Sequence, residues 1–279
     1  PLQAQDELPA AAFRLRAHQQ PVAEAMWCCV PVTLQADRDS AVLLGNEQLS
    51  ITAQECEVLL ADLNQHFVEV GLRFSSLTPQ QWLVQFPRSL SLTTTPLHQA
   101  QWQDVRHCAV AGVDAQQWRV WLNEIQMLLH QHPVNQRREE HATPPINSLW
   151  LWGGGSYQTT VTPSLDIIYS DDALIYDLAR TMAVRSEVLP LNVATLPWGK
   201  KENIGLFLFD LAALFAQGDY LAGLTILKNW DNRIFKPILA KLKTGEIEEL
   251  RLITDHYYFV LRSRHLLRWW RRSNNFRTC

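Results

Sequence analysis

The sequence predicts an α/β protein, because strand and helix signals alternate along its whole length. No internal repeat of roughly 20 to 50 residues is visible, which argues against a solenoid or a propeller. Apolar residues make up 47% of the 279 residues and charged residues 19%, a composition typical of a folded chain. This length allows one large domain or two ordinary ones, and either can bury a substantial core.

Charge and cysteine usage argue against several classes of function. The formal net charge of -3 gives no general attraction to nucleic acid or anionic membranes. No run approaches the roughly 18 to 20 apolar residues of a membrane-spanning helix. Residues 1–25 carry charges and prolines where a signal peptide would be apolar, and a start at Pro1 leaves a trimmed N-terminus open. The five cysteines form no CxxC pair, which is typical of reduced thiols in a cytoplasmic protein.

The first half of the chain carries two strand signals and one strong helix signal. Residues 28–34 and 41–44 are apolar enough for strands, and Pro31 suggests an edge or a strand start. The segment from Thr52 to Glu55 has the pattern of a capping box, in which two side chains bond the free amides at a helix start. It predicts a helix over residues 53–70, and Gly71 suits its C-terminal cap. Further short strands are predicted at residues 72–74 and 82–86.

A second helix after Asp114 is the clearest predicted element. Its apolar face repeats at spacings of four, three, four and three, through Trp118, Leu122, Ile125, Leu129 and His132. Pro133 is expected to end this helix, and residues 136–145 are expected to form a polar connection. A buried strand is then predicted over residues 148–152.

The second half continues the alternation. A strand is predicted at residues 166–169, followed by a helix that Ser170 or Asp171 caps and that runs to about Val184. Another strand is predicted at residues 204–209. A helical region follows over residues 220–243, with Pro237 expected to break or kink it, and residues 249–262 are expected to form two strands.

Two segments could form sites on their own chemistry. The turn Gly153-Gly154-Gly155-Ser156 could hold a phosphate on its backbone amides, or it could be a crossing where only glycine allows close approach. The terminal cluster of Arg268, Trp269, Trp270, Arg271 and Arg272 could contact nucleic acid, phosphate or a protein. It could equally be an amphipathic helix that packs its tryptophans on the body of the protein.

Residues 132–155 carry a more specific pattern. His132-Pro133-Val134-Asn135 is followed by Arg138 and then by the segment from Asn147 to Gly155. This order resembles a signature of the archaeal-type cofactor-independent phosphoglycerate mutases, which have an HPVN-x-x-R segment, a polar linker and an apolar strand ending in a Gly-rich turn. Residues 50–64 and 218–231 are also similar to family segments. The run 123–130 looks closer to a proteobacterial group of phosphoglycerate-mutase-like or regulatory proteins.

The resemblance implies a domain organisation. It implies an alkaline-phosphatase-like three-layer core, with N-terminal truncation left open, and a smaller inserted α/β lobe. The lobe is expected over residues 26–147, and residues 1–25 and 148–279 are expected to belong to the core. In the mutases the segment matching residues 132–138 lies near the substrate cleft, so the resemblance implies that His132, Asn135 and Arg138 bind an anion beside the turn of residues 153–156. The alternative is structural, with His132 on an apolar face, Asn135 as a cap and Arg138 solvated.

The family's chemistry needs two divalent metals and a serine that takes up the phosphoryl group, and this sequence departs from that pattern. The matching metal positions are Ala212 and Ala216, which offer no ligand atom. Trp152 stands where the family has an arginine before the Gly-rich turn, which replaces an anion clamp by an apolar ring. The family's nucleophilic serine has no match in residues 1–45.

The resulting expectation is a non-catalytic homologue that acts as a regulatory or interaction protein. Its partner would be a protein or a small phosphorylated ligand, and no metal site or cofactor is expected. The alternative is a residual mutase or phosphatase that uses Mn or Mg on relocated ligands, with four candidates: Asp166, Asp210, Asp255 and His256. The Thr254-Asp255-His256 segment is similar to a family metal motif, but a polar turn between two strands explains it more simply.

Overall fold

The fold is described by a computed structural model over residues 8–37, 40–44, 49–155, 163–198, 202–209, 211, 214, 218–254 and 257–266. The described strands are β1 Met26–Asp37, β2 Ser40–Leu44, β3 Arg73–Thr78, β4 Gln81–Gln85, β5 Ser148–Trp152, β6 Ile167–Ser170, β7 Arg185–Val188, β8 Ile204–Leu206, β9 Glu249–Ile253 and β10 Tyr258–Arg262. The described α-helices of at least four residues are α1 Ala10–Ala17, α2 Ala53–His66, α3 Leu97–Ala100, α4 Ala115–His130, α5 Pro133–Glu140, α6 Ala173–Thr181, α7 Tyr220–Trp230, α8 Lys236–Thr244 and α9 Ser263–Leu266. Strands and helices alternate, which confirms the predicted α/β class.

The largest sheet is antiparallel and is organised around β1. Its order is β2-β1-β4-β3, and β5 also pairs with β1. β1 contacts β4 through residues 26–28 and β2 through residues 33–37, whereas β5 pairs with residues 28–32. Pro31 lies between the β4 and β2 contacts, where β5 is the strand's described partner. One side of β1 is therefore an edge at this point, which is where a strand tolerates proline.

α2 and α4 supply the main core of this sheet. The capping box of α2 is confirmed: the Thr52 amide donates to Glu55 Oε2 at 2.8 Å, and the Glu55 amide donates to Thr52 Oγ1 at 3.2 Å. The helix ends at His66 instead of reaching residue 70, and Gly71 follows with a left-handed φ of 78°. From α4, the buried Trp118 meets the ring of Phe86 edge-on, with centroids 5.9 Å apart.

The expectation of a polar connection after Pro133 was wrong. Pro133 ends the run of α4 but occupies the first turn of a new helix, α5, which ends at Glu140. A proline fits this position because the first amides of a helix have no partner within it. The Nδ1 atom of His132 accepts the Val134 amide at 3.1 Å, which caps the new helix.

The second sheet is parallel and has the order β7-β6-β8. The sequence did not predict β7. Asp172, instead of Ser170 or Asp171, caps α6 by accepting the amides of Leu174 and Ile175. α7 passes into α8 through a π-helical turn over Asp231–Phe235, directly before Pro237. Such a turn changes the hydrogen-bonding register where proline supplies no amide, so the helical region continues with a change of register.

The first described helix, α1, joins the two sheets. Its Ala11 amide donates to the carbonyl of Gly153 at 3.0 Å, immediately after β5. On its other side, Thr181 Oγ1 of α6 donates to the carbonyl of Phe13 at 3.1 Å. β9 and β10 form a separate antiparallel hairpin, as predicted, although its turn residues 255–256 and the basic aromatic cluster of residues 268–272 lie outside the described residues.

The predicted division at residue 147 stays a prediction. β5 begins one residue later and pairs with β1, so this strand belongs to the antiparallel sheet. The alkaline-phosphatase-like assignment of the remaining chain likewise stays a prediction. None of the helices that the structure describes is long and apolar enough to cross a membrane.

Candidate functional site

His132 and Asn135 are both buried, and their polar atoms bond within the protein. His132 Nε2 lies 2.9 Å from Asp62 Oδ2, while its Nδ1 caps α5. The Asn135 amide group donates to the carbonyls of Leu129 and Ile146, each at 2.7 Å, and its Oδ1 accepts the Ile146 amide at 2.8 Å. Asn135 therefore ties the end of α4 to the segment that leads into β5.

Arg138 is also buried, with 4% of its side chain exposed, so the solvated Arg138 of the structural alternative was wrong. Its Nη1 donates to Glu55 Oε1 at 2.8 Å, its Nε donates to the Pro144 carbonyl at 2.8 Å, and its Nη2 donates to the Leu49 carbonyl. Partial burial raises the pKa of Glu55, but the Thr52 amide and Arg138 outweigh it and hold the pKa below 4.5. The described geometry thus gives the HPVN-x-x-R segment a structural role, and ligand binding by it stays a prediction.

The Gly-rich turn lies against other parts of the protein. A Cβ atom on Gly154 would lie 2.1 Å from the ring of Trp27, and one on Gly153 would lie 2.7 Å from Ala10 Cβ. Gly153 and Gly155 also have left-handed φ angles of 64° and 118°. Close approach therefore accounts for the glycines at residues 153 and 154. The fourth residue, Ser156, lies outside the described residues, and phosphate binding by the turn stays a prediction.

Arg14, which the sequence did not single out, meets Trp152 just before this turn. Arg14, from α1, has its Cζ atom 5.7 Å from the centre of the Trp152 ring. Arg14 and Trp152 are 8% and 5% exposed, respectively. Arg14 Nε and Trp152 Nε1 are buried without a hydrogen-bond partner in the part of the chain that the structure describes. The sequence signal that could have found this pair is weak, because Arg14 lies in a short, alanine-rich helix.

α6 places a buried carboxylate near α1. Asp177 Oδ1 lies 3.5 Å from His18 Nε2. Burial raises the pKa of Asp177, and the positive charges of Arg14, His18 and Arg180 only partly oppose this effect. Burial therefore disfavours the ionised form of Asp177, whereas its basic neighbours favour it.

Of the four candidate metal ligands of the alternative hypothesis, the structure describes Asp166, and the hypothesis stays a prediction. Among the described residues, no group of three or more His, Cys, Asp or Glu side chains could hold a metal. Asp166 Oδ2 accepts the Asn203 amide at 2.7 Å, which gives it a role at the start of the parallel sheet. Asp210, Asp255 and His256 lie outside the described residues, as do Ala212 and Ala216.

No protein-family model matches the chain. A curated 2,3-bisphosphoglycerate-independent phosphoglycerate mutase from Methanosarcina barkeri is 24% identical to it in an alignment of 250 residues that covers 82% of this chain and 62% of that protein. A mutase of the same description from Methanosarcina mazei is 27% identical over 107 residues, or 38% of this chain and 27% of that protein. The chain is a distant relative of the cofactor-independent phosphoglycerate mutases. It spans less than two thirds of the length of the first of these mutases.

A solved structure of a cofactor-independent phosphoglycerate mutase from Thermoplasma acidophilum is also similar to this chain. That likeness covers 77% of this chain and 64% of the other, with a TM-score of 0.40 and 14% identity. Membership in the closer proteobacterial group stays a prediction.

Proposed function

We propose that this chain is a non-catalytic relative of the cofactor-independent phosphoglycerate mutases that acts as a regulatory or interaction protein. One observation carries this proposal: Trp152 stands at the position where the similar mutases have an arginine before the Gly-rich turn. The indole of Trp152 is buried against Arg14 and supplies one N–H donor, whereas an arginine would supply five. A bidentate clamp on an anionic substrate is lost with that change.

Two further features support the proposal. The positions that match the family's metal ligands are Ala212 and Ala216, whose methyl groups cannot coordinate a cation. The polar groups of His132, Asn135 and Arg138 have partners inside the protein, so using them on a substrate would require those bonds to break. A residual metal-dependent mutase or phosphatase is the outcome that the test below is designed to reveal.

The test combines a metal analysis with an activity assay on the purified protein. We expect no stoichiometric divalent metal and no interconversion of 2- and 3-phosphoglycerate when manganese or magnesium is added. Turnover that depends on a stoichiometrically bound metal would overturn the proposal. The double variant Ala212→Asp with Ala216→His is a useful comparison, since restored metal binding would show that the ancestral ligand positions keep their geometry.

The regulatory partner is the less defined half of the proposal. A small phosphorylated ligand or a protein, bound in the cytoplasm, fits the resemblance and the composition.

A further inference from the structure

Two donor groups that have no acceptor among the described residues lie together in the interior between α1 and β5. They are the Nε–H of Arg14 and the indole N–H of Trp152, and both side chains are more than nine-tenths buried. The guanidinium lies over the indole ring, with Cζ 5.7 Å from the ring centre. Guanidinium and indole N–H groups can donate hydrogen bonds but cannot accept them, so these two side chains cannot satisfy one another.

Leaving such donors unpaired is costly. A buried donor without a partner loses its hydrogen bonds to water with no replacement, and the loss is greater when the donor is charged. Other indole groups of this protein avoid that cost: the N–H groups of Trp82, Trp150 and Trp198 donate to backbone carbonyls at 2.8, 2.8 and 2.7 Å. Trp152 therefore differs from tryptophans in the same fold whose indole nitrogens are satisfied by the chain itself.

The charges around the pair favour an acceptor that is negative. Asp177 is buried on the neighbouring helix, but its described ion-pair partner is His18, and it forms no ion pair with Arg14 among the residues that the structure describes. Arg180, on the same helix as Asp177, adds a further positive charge and donates to the Ala17 carbonyl of α1 at 3.2 Å. The guanidinium of Arg14 thus has no carboxylate bonded to it among the described residues, even though Asp177 lies on the neighbouring helix.

The pair lies close in sequence to an exposed residue. Trp152 is the last residue of β5, and the exposed Gly155 follows three residues later. The intervening turn is held to α1 by the bond from the Ala11 amide to the Gly153 carbonyl.

We propose that Arg14 and the indole N–H of Trp152 form a subsite for an oxyanion, the phosphate or carboxylate group of a small ligand. A charge-assisted hydrogen bond from a guanidinium to such a group is about twice as strong as a neutral one. The subsite rests on the proposed function in that its ligand would be the regulatory one. It uses residues outside the HPVN-x-x-R segment.

The test is an NMR titration of the ¹⁵N-labelled protein that follows the indole N–H signals. Inorganic phosphate and malonate are added separately at constant ionic strength, with chloride as the control anion. The variant Trp152→Phe assigns the Trp152 signal and keeps an aromatic ring beneath the guanidinium. We expect the Trp152 signal to shift saturably with phosphate, malonate or both, while the signals of Trp82 and Trp198 stay in place. The more effective anion then identifies the ligand group as phosphate or carboxylate.

A matched pair of variants isolates the role of Arg14. Arg14→Met keeps a long apolar side chain but removes the charge, and Arg16→Met makes the same change at an exposed position of α1. The saturable shift should disappear in the first variant and persist in the second. Should Arg14→Met fail to fold, the rise in melting temperature that the effective anion gives to the unaltered protein should be smaller in Trp152→Phe.

Three results would overturn the subsite. They are a Trp152 signal unmoved by phosphate and malonate, an equal shift with chloride, and a shift that survives in Arg14→Met. Each of these leaves the mutase assay untouched, so a failed subsite and a failed non-catalytic assignment are distinguishable.

Discussion

Residues 26–152 and residues 163–266 differ in how completely they bury large apolar side chains. In the first region, the large core includes Trp82, Trp118 and Leu129, which are almost completely buried. In the second region, the cores under the parallel sheet are smaller, and large apolar side chains remain exposed on α7 and on the β9–β10 hairpin. Examples are Leu221, Ile253 and Tyr258.

The contrast shows that apolar content and burial are separate properties. α7 is one of the most apolar helices in the sequence, yet Leu221 is 79% exposed. α4 is less uniformly apolar, but its regular spacing turns one face, with Trp118, Ile125 and Leu129, into the core. Periodicity therefore predicts burial better than composition does, because only a continuous face can pack against a sheet.

Polar interactions are likewise more buried in the first region than in the second. The first region has Arg138, which joins α5 to Glu55 of α2 and to two backbone carbonyls. Ion pairs formed within the second region lie at the surface, as between Arg185 and Glu202. Surface ion pairs contribute about 0–1 kcal/mol to stability. We therefore expect substitutions of equal chemistry to have unequal effects in the two regions.

The largest effect is expected for Arg138→Ala. Removing this side chain leaves the partly buried Glu55 carboxylate and two backbone carbonyls without their hydrogen-bond donor. Breaking a buried ion pair by removing one partner costs about 3–5 kcal/mol. Urea denaturation, followed by tryptophan fluorescence, measures the change in the free energy of unfolding. Arg137→Ala is the control, since it deletes the same side chain at the neighbouring exposed position. Equal losses in the two variants would contradict the structural role of Arg138.

A leucine pair tests the cores directly. Leu129→Ala, at a fully buried position, should lower the free energy of unfolding by about 2–5 kcal/mol. Leu221→Ala removes the same atoms from an exposed position of α7 and should change it by less than about 0.5 kcal/mol. Thermal and urea unfolding of both variants provide the comparison. A large loss in Leu221→Ala would mean that this face of α7 is covered in solution.

The smallest effect is a loss of stability in acid that depends on Glu55. The folded-state pKa of Glu55 lies below its ordinary value of 4.5, so its ionised form stabilises the fold above that pH. This contribution is lost as the pH falls from 4.5 through the lower folded-state pKa. Unfolding midpoints at about pH 6 and about pH 3 should therefore differ more in the unaltered protein than in Glu55→Gln.

Glu57→Gln is the control for this acid effect, because Glu57 is exposed on the same helix. If the acid-induced loss is the same in Glu55→Gln as in the unaltered protein, other carboxylates are responsible for it. His132 and Asp62 form the next pair to examine, since they join α5 to the same face of α2.

The sequence predicted local features well and partnerships poorly. The capping box at Thr52, the buried face of α4 and the strand at residues 148–152 all follow from neighbouring residues, and all are confirmed. The helix after Pro133 was missed because its eight residues are mostly polar and show no apolar period. The role of Arg138 was missed because its partners, Glu55 and Leu49, lie more than 80 residues away.

The sequence by itself determined the α/β class and most element positions. Its matches around residues 132–155 indicated the distant kinship, and Ala212, Ala216 and Trp152 marked the departures from the mutase pattern. Only the tertiary structure decided what the polar side chains do. The polar groups of His132, Asn135 and Arg138 form hydrogen bonds inside the protein. Arg14 and Trp152, in contrast, lie together, and Arg14 Nε and Trp152 Nε1 have no hydrogen-bond partner among the described residues. The physical reason is that hydrogen bonding and desolvation depend on which atoms meet in space, and residues 14 and 152 meet only because α1 packs beside the end of β5.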